Sequence, residues 1–300
     1  MLAKRLELFE NFIEPANKSK AIWRLLLGVV CLVVMYFILS TVAIAVFVVA
    51  KGDLAGNKMM MDMTEGRDPL SVILMLVSFV FMFIALLIAV RLVHKRGISS
   101  LIGPSNGTFW RNFMISFAVV IGLSLAGWAV YWFVETPAQN MAFGTWFLWM
   151  ILAIPLLFLQ IASEELIFRG YLQQQLAARF RSRWVWMLLP AITFGALHYQ
   201  PSVMGQNAWL VVIVTTLFGI IAADVTARTG NLGAAMGLHF ANNVFAITIM
   251  PLSGTLDGLG LFRTVIGVDD ISQLRMMLLI DLALILIVFF IYLRWANRRG

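Results

Sequence analysis

The dominant feature of this 300-residue sequence is a series of uninterrupted apolar runs of the length that crosses a lipid bilayer. An α-helix rises ~1.5 Å per residue, so about 20 apolar residues cross the ~30 Å hydrocarbon core. The predicted spans are 22–50, 70–93, 112–134, 143–163, 184–199, 208–227, 231–250 and 276–296. Uniformly apolar runs differ from the short alternating strands of a membrane β-barrel. The sequence therefore predicts an all-α, polytopic membrane helix bundle of about eight transmembrane helices.

The composition agrees with a membrane protein and excludes an ordinary soluble one. Hydrophobic residues make up 61% of the chain and charged residues only 12%, about half of what a soluble protein carries. The single cysteine, Cys31, lies inside the first run and excludes both a disulfide framework and a cysteine-based zinc site. The net charge of +7 comes from residues beside apolar segments, so no nucleic-acid partner is expected.

The positions of the basic residues predict the topology. On the side that holds both termini lie all but five of the 22 Lys and Arg residues. The five exceptions are Lys51, Lys58, Arg67, Arg263 and Arg275. Because cytoplasmic loops carry the excess of Lys and Arg, we expect a multi-pass integral protein of the plasma (inner) membrane with both termini in the cytoplasm.

Three short polar motifs interrupt the apolar runs between residues 160 and 245. An ionisable group in the middle of a span costs about 2.5–3.5 kcal/mol, so each needs a partner or a function. In the first motif, Glu165 and Arg169 are four residues apart with the acid first, the favourable order for an ion pair on one helix face. Glu164 points about 100° away and is left free.

The other two motifs each contain a histidine in a small-residue environment. Phe194 and His198 enclose Gly195, which lets a neighbouring helix approach closely. His239 and Asn243 share a helix face after a tract of small residues. Taken singly, each motif could be structural, as an acidic step at the interface or as a hydrogen bond between helices. Their coincidence in closely packing helices favours a functional site.

Three further ionisable residues have structural interpretations. His94 adjoins Lys95 and Arg96 and is interpreted as an interfacial residue. Asp224 is four residues before Arg228 and is expected to form a local ion pair. Asp281 is interpreted as structural, within reach of Arg275 or a polar loop.

Together, a carboxylate, two imidazoles and a carboxamide suit the attack of water on an amide. Glu164 can remove a proton from water, His198 can position that water, and His239 with Asn243 can donate hydrogen bonds to the developing oxyanion. Zinc is an open alternative, with Glu164, His198 and His239 as its ligands, although the chain has no H-E-x-x-H motif. The non-enzymatic alternative is a transporter or membrane scaffold whose buried Glu and His groups relay protons or join helices.

The three motifs, in this order, resemble the CPBP family of intramembrane proteases, also called the Abi or CAAX-protease family. The resemblance covers about residues 140–250 and includes the tract Thr229-Gly230-Asn231-Leu232-Gly233. The family includes the type II CAAX prenyl endopeptidase and bacterial relatives linked to bacteriocin processing and immunity, and many members are described as metalloproteases.

The resemblance implies an endopeptidase that cuts a membrane-associated protein or peptide within the bilayer. It makes Glu164 the catalytic base, His198 its partner in positioning water, and His239 with Asn243 the oxyanion contacts. The supporting residues are Glu165, Arg169 and Phe194. The sequence indicates neither the substrate's identity nor the oligomeric state.

The predicted organisation has four segments. These are a cytoplasmic amphipathic segment at 1–21, transmembrane helices 1–3 at 22–136, the CPBP-like catalytic core at 137–251, and an external loop, last helix and basic cytoplasmic tail at 252–300. Hydropathy ends the fourth span near Ser163, whereas His198 lies about 21 Å along its own helix. For the motifs to meet, the fourth helix must continue through Gln173 to Phe180 and place Glu164 inside the bundle.

Overall fold

The computed structural model of the protein describes residues 2–104 and 107–298, with side chains described for residues 6–104 and 107–294. The α-helices are α1 (Leu2–Asn17), α2 (Ile22–Lys51), α3 (Asp53–Glu65), α4 (Pro69–His94), α5 (Ser99–Ile102), α6 (Phe109–Val134), α7 (Phe143–Glu165), α8 (Gln174–Arg179), α9 (Leu189–Ala196), α10 (Pro201–Met204), α11 (Ala208–Thr229), α12 (Gly233–Asn243) and α13 (Ile271–Arg298). The π-helical segments are π1 (Leu166–Gln173), π2 (Trp184–Leu188) and π3 (Val244–Ile249). A 3₁₀ turn covers Gly205–Asn207, and the two-residue strands β1 (Ala138–Gln139) and β2 (Phe262–Arg263) pair antiparallel.

Long apolar helices form the framework of the molecule. In the described chain, six are long and apolar enough to cross a membrane: Ile22–Lys51, Pro69–His94, Phe109–Val134, Phe143–Arg179, Pro201–Thr229 and Ile271–Arg294. They correspond to six of the eight predicted spans. The prediction of an all-α, polytopic bundle is confirmed, and the protein is an integral membrane protein.

The two remaining predicted spans, 184–199 and 231–250, are shorter helices. The first is Trp184–Ala196, at most about 20 Å long by helical rise, and the second runs from Gly233 to Ile249. Each is followed by a residue that precedes proline and leaves the helical region, Gln200 at φ −126° and Met250 at φ −142°. Apolar residues around these ends extend the hydropathy signal beyond the helices themselves.

Local sequence determines where the long helices begin and end. The Asp68 side chain accepts hydrogen bonds from the backbone N–H of Leu70 and Ser71, which caps α4, and Pro69 occupies the first helical turn. Gly66 ends α3 at φ 62°, a left-handed conformation that favours glycine.

Glycines bring the helices that carry the motifs close to their neighbours. A Cβ added at Gly233 or Gly237 of α12 would overlap the backbone carbonyl oxygens of Phe109 and Phe113 on α6. A Cβ added at Gly195 of α9 would overlap Thr216 on α11. The predicted close approach at these small residues is confirmed, and it sets the positions of α9 and α12 within the bundle.

Helix α1 packs inward against the bundle instead of lying free at the membrane surface. Phe12 and Ala16 are fully buried, and the ring of Phe9 is 4.7 Å from that of Trp186. The amphipathic pattern cannot distinguish a lipid surface from a protein surface, because both bury the same apolar stripe. In the structure, the predicted amphipathic segment buries its apolar side in the protein core. Of the residues counted for topology, Arg299 and the side chains of Lys4, Arg5 and Arg298 lie outside the described part.

His94 was predicted to be an interfacial residue, but the structure buries it. Its Nδ1 is 2.9 Å from Oγ of Ser19, and its Nε2 is 2.9 Å from the hydroxyl of Tyr171. Arg96 beside it is also buried and donates a hydrogen bond to Gln174. The neighbouring basic residues correctly indicated the end of a span. In the structure, however, this end is covered by α1 and by the long helix Phe143–Arg179.

Candidate active site

The first motif lies inside a continuous helix. The segments α7, π1 and α8 form one uninterrupted helix from Phe143 to Arg179, so the predicted extension of the fourth span is confirmed. Nη1 of Arg169 donates to Oε1 of Glu165 at 2.8 Å, with the two side chains 2% and 0% exposed. The two residues form the predicted ion pair in full burial. The pair lies at the start of π1, a rare helical form that is frequent at functional sites.

Aromatic rings surround the guanidinium of Arg169. Its central carbon lies 4.8 Å from the ring centroid of Phe194 and 5.9 Å from those of Phe168 and Phe218. Cation–π attraction offsets part of the desolvation cost of burying this charge. Phe194 therefore has the predicted supporting place. Phe218, an aromatic residue inside an apolar run, had no distinguishing signal in the sequence.

His239 connects the two adjacent glutamates. Its Nδ1 is 2.8 Å from Oε1 of Glu165, and its Nε2 is 3.5 Å from Oε2 of Glu164. A carboxylate can only accept, so Nδ1–H donates to Glu165. Glu164 is on the other side of the ring, and its Oε2 has no hydrogen-bond partner among the described residues.

His198 lies in the turn after α9. Its Nδ1–H donates to the backbone carbonyl oxygen of Phe194 at 2.8 Å, which leaves Nε2 as the acceptor of the neutral ring. The ring centroids of Phe194 and His198 are 4.7 Å apart, and those of Phe194 and His239 are 5.9 Å apart. His198 forms no ion pair with Glu164 in the described structure. His198 and Glu164 are connected only indirectly: the His198 ring packs on Phe194, Phe194 packs on His239, and His239 faces Glu164.

Asn243 belongs to a chain of three amides. Its Nδ2 donates to Oε1 of Gln160 at 3.1 Å, and its Oδ1 accepts from Nδ2 of Asn242 at 3.1 Å. Gln160 was not among the predicted site residues. Its signal was available, since it is a polar residue within an apolar run and lies four positions before Glu164, on the same helix face.

A cavity of about 280 Å³ brings these residues together. It is walled by apolar side chains of α6, α11, α12 and α13, and it reaches α7 and α9. Its polar lining includes Gln160, His198, His239, Asn242, Asn243 and Asp281. Glu164 does not itself line the cavity, but 12% of its side chain is accessible and its Oε2 faces Nε2 of His239. The structure thus brings three of the predicted catalytic residues to one cavity and the fourth directly behind its wall.

These residues do not fit the zinc alternative. Zinc needs ligand atoms of Glu164, His198 and His239 to converge at about 2.0–2.2 Å from one point. In the part of the chain that the structure describes, no group of three His, Cys, Asp or Glu side chains is placed to hold a metal ion.

The remaining predicted ion pair is confirmed. Arg228 and Asp224 form the local pair within α11. Arg275, one of the two partners expected for Asp281, donates instead to Oδ1 of Asn207 at 3.4 Å.

The helix bundle defines a polytopic membrane protein, and its central part is similar to a family of membrane proteases. Residues 144–245 match the family described as Type II CAAX prenyl endopeptidase Rce1-like. This domain belongs to the CPBP family. All three motifs lie within it, whereas α6 and α13, which also wall the cavity, lie outside it.

A relative is known from Bacillus subtilis (strain 168), where it bears the description Uncharacterized protein YyaK. It is 26% identical over 241 residues, which cover 78% of this chain and 80% of the relative. The similarity therefore extends well beyond the matched domain. No solved structure matches the chain significantly.

Proposed function

We propose that the protein is an intramembrane endopeptidase that hydrolyses a peptide bond of a membrane-associated protein or peptide. The observation that carries this proposal is the position of His239. Its ring lines the cavity beside His198 and Asn243, and its Nε2 lies 3.5 Å from the carboxylate of Glu164. A polar cavity wall and a carboxylate that can act as a base therefore lie next to each other inside the bundle.

Water is activated by Glu164. Its Oε2 is free to accept a proton, because it has no hydrogen-bond partner among the described residues. Nε2 of His198 accepts the other water hydrogen, since its Nδ1–H is occupied by the carbonyl of Phe194. The water oxygen then forms a bond to the carbonyl carbon of the substrate amide, and the carbonyl electron pair moves onto its oxygen.

Asn243 and His239 stabilise the oxyanion. One N–H of the Asn243 amide donates to Gln160, and its Oδ1 accepts from Asn242, so the second N–H is held in a fixed direction and is available to the substrate. His239 donates from Nε2 when its ring carries both protons, with Nδ1–H retained by Glu165. When the intermediate collapses, the C–N bond breaks, and the leaving nitrogen takes the proton from Glu164, which regenerates the carboxylate.

The decisive experiment replaces Glu164 by glutamine. The amide has nearly the same shape but cannot accept the proton, so we expect cleavage to fall by about 10²–10⁴-fold with normal insertion in the membrane. Comparison of the N termini of membrane proteins from cells with the unmodified protein and with E164Q measures the loss and reveals substrates. The matched control is E65Q, an exposed glutamate at the end of α3.

Normal processing by a well-expressed E164Q protein would refute the proposal. Proton-dependent solute flux through reconstituted protein without any cleavage would favour the transporter alternative instead.

The orientation of the chain is part of the proposal. We place the protein in the plasma (inner) membrane with both termini in the cytoplasm, on the distribution of basic residues. Fusions of a cytoplasm-specific fluorescent protein to either terminus are expected to fluoresce, and periplasm-specific phosphatase fusions are expected to be inactive. Activity of the phosphatase at either terminus would reverse this orientation.

A further inference from the structure

The cavity contains a carboxylate that the proposed reaction does not use. Asp281 lies ten residues into α13, about 15 Å along the helix from Ile271, and lines the cavity opposite the motif helices. Apolar residues of the same helix, Leu284, Ile285 and Val288, line the wall next to it. An ionisable side chain at this depth of a span requires a compensating partner.

The described part of the chain does not supply that partner. Arg275, on the preceding turns of α13, donates to Oδ1 of Asn207, whose Nδ2 in turn donates to the backbone carbonyl of Ile271. Among the described residues, Asp281 forms no ion pair and no hydrogen bond, and its side chain is exposed and lines the cavity. Its carboxylate is therefore open to a partner from outside the described chain.

The charges around the cavity indicate the sign of that partner. Asp281 is the one carboxylate in the described lining, and apart from the histidines no basic side chain lines the cavity with it. Arg169 is 2% exposed and committed to Glu165, and Glu164 adds a further negative charge behind the wall. At Asp281, the cavity thus attracts a cation.

We propose that Asp281 binds a cationic side chain, lysine or arginine, of the peptide that occupies this cavity. The inference rests on the proposed protease function and names its substrate class: a membrane-associated peptide with a basic residue close to the bond that is cut. The apolar walls bind the flanking residues, and Asp281 selects by charge.

The test measures binding to the full chain in nanodiscs of zwitterionic phosphatidylcholine, in the E164Q background so that nothing is cleaved. The probes are dansyl-capped, C-terminally amidated pentapeptides of leucine with lysine, norleucine or glutamate at the centre. We expect the lysine probe to bind about tenfold tighter than the norleucine probe, and D281N to remove that preference. The matched control D53N changes an exposed aspartate of α3 and is expected to retain the preference.

Equal affinity of the lysine and norleucine probes for E164Q, or no binding of the lysine probe, would overturn the inference without any need for the D281N protein. Retention of the lysine preference in D281N would overturn it as well. The charge-reversal variant D281K is expected to prefer the glutamate probe. Because this binding does not depend on cleavage, failure of the proposed protease function would appear separately, as unchanged membrane-protein processing in E164Q cells.

Discussion

At the scale of single residues, one carboxylate oxygen organises the site. Oε1 of Glu165 accepts hydrogen bonds from both Arg169 and His239, so it orients the histidine while its charge is neutralised. Glu164, the preceding residue of the helix, forms no ion pair with Arg169 in the described structure. Its Oε2 accepts no hydrogen bond there either. The 100° rotation between successive helical residues therefore gives Glu165 and the proposed base Glu164 different surroundings.

Removal of Arg169 is expected to destabilise the protein strongly. R169M leaves the buried charge of Glu165 without its cation, which costs about 3–5 kcal/mol. Replacement of both partners, as E165Q with R169M, removes the uncompensated charge and is expected to cost less than R169M alone. Tryptophan fluorescence during denaturation in detergent micelles measures both. Equal or greater destabilisation in the double variant would show that the ion pair is not the reason for the loss.

Gln160 is expected to act through Asn243. Q160M removes the acceptor that holds the Asn243 amide, so we expect kcat to fall by about tenfold or more with little change in KM. Q160E retains an acceptor oxygen at that position and is expected to rescue kcat. Steady-state kinetics on a substrate found by the E164Q comparison measures both variants, and a loss in KM alone would contradict this positioning role.

At the scale of the elements, glycines determine how closely the motif helices approach their neighbours. Helix α12 carries His239 and Asn243 on one side and Gly233 and Gly237 on its contact with α6. The depth of the His239 ring in the bundle therefore depends on the absence of a side chain on the opposite face. A change there moves the catalytic side chains without touching them.

The variant G237A tests this contact. The new methyl group would overlap the backbone of Phe113, which cannot rotate away, so we expect a loss of about 1–3 kcal/mol of stability and reduced activity. G122A on α6 is the matched control, because an added Cβ there meets nothing within 4 Å. Unfolding in detergent compares the two. A G237A protein as stable as G122A would show that the helices have room to separate.

The features that depend on one stretch of chain were predictable from the sequence. The long spans follow from apolar runs, and the Glu165–Arg169 and Asp224–Arg228 pairs follow from helical spacing. The contacts of Gln160 with Asn243 and of His94 with Ser19 join residues more than 70 positions apart, so no local pattern indicates them. The absence of a partner for Asp281 is equally a matter of tertiary packing, since Arg275 was available nearby but turns to Asn207.

At the scale of the whole molecule, the N-terminal helix closes one end of the bundle. Helix α1 contacts α8 and α11, and the backbone of Leu8 approaches Gly230 closely enough that a Cβ there would clash. Helix α1 therefore supports α8, the C-terminal end of the long helix that carries the two glutamates. Helix α1 itself lies outside residues 144–245.

Truncation of one α1 side chain tests that contribution. Phe12 is fully buried, so F12A is expected to reduce stability by about 3–5 kcal/mol, whereas L6A, at a side chain that is 51% exposed, should have little effect. Detergent unfolding monitored by fluorescence measures both. If F12A is as mild as L6A, then α1 is a peripheral anchor after all.

The cavity also has a consequence for how proteins of this kind diversify. The residues proposed to react lie on α7, on α12 and in the turn after α9, but much of the cavity wall belongs to α6 and α13, which lie outside residues 144–245. The proposed hydrolytic residues and the proposed specificity residue thus lie on separate stretches of polypeptide. Two proteins with identical motifs could therefore differ in substrate specificity through a few substitutions in the last helix, while the motif residues stay unchanged.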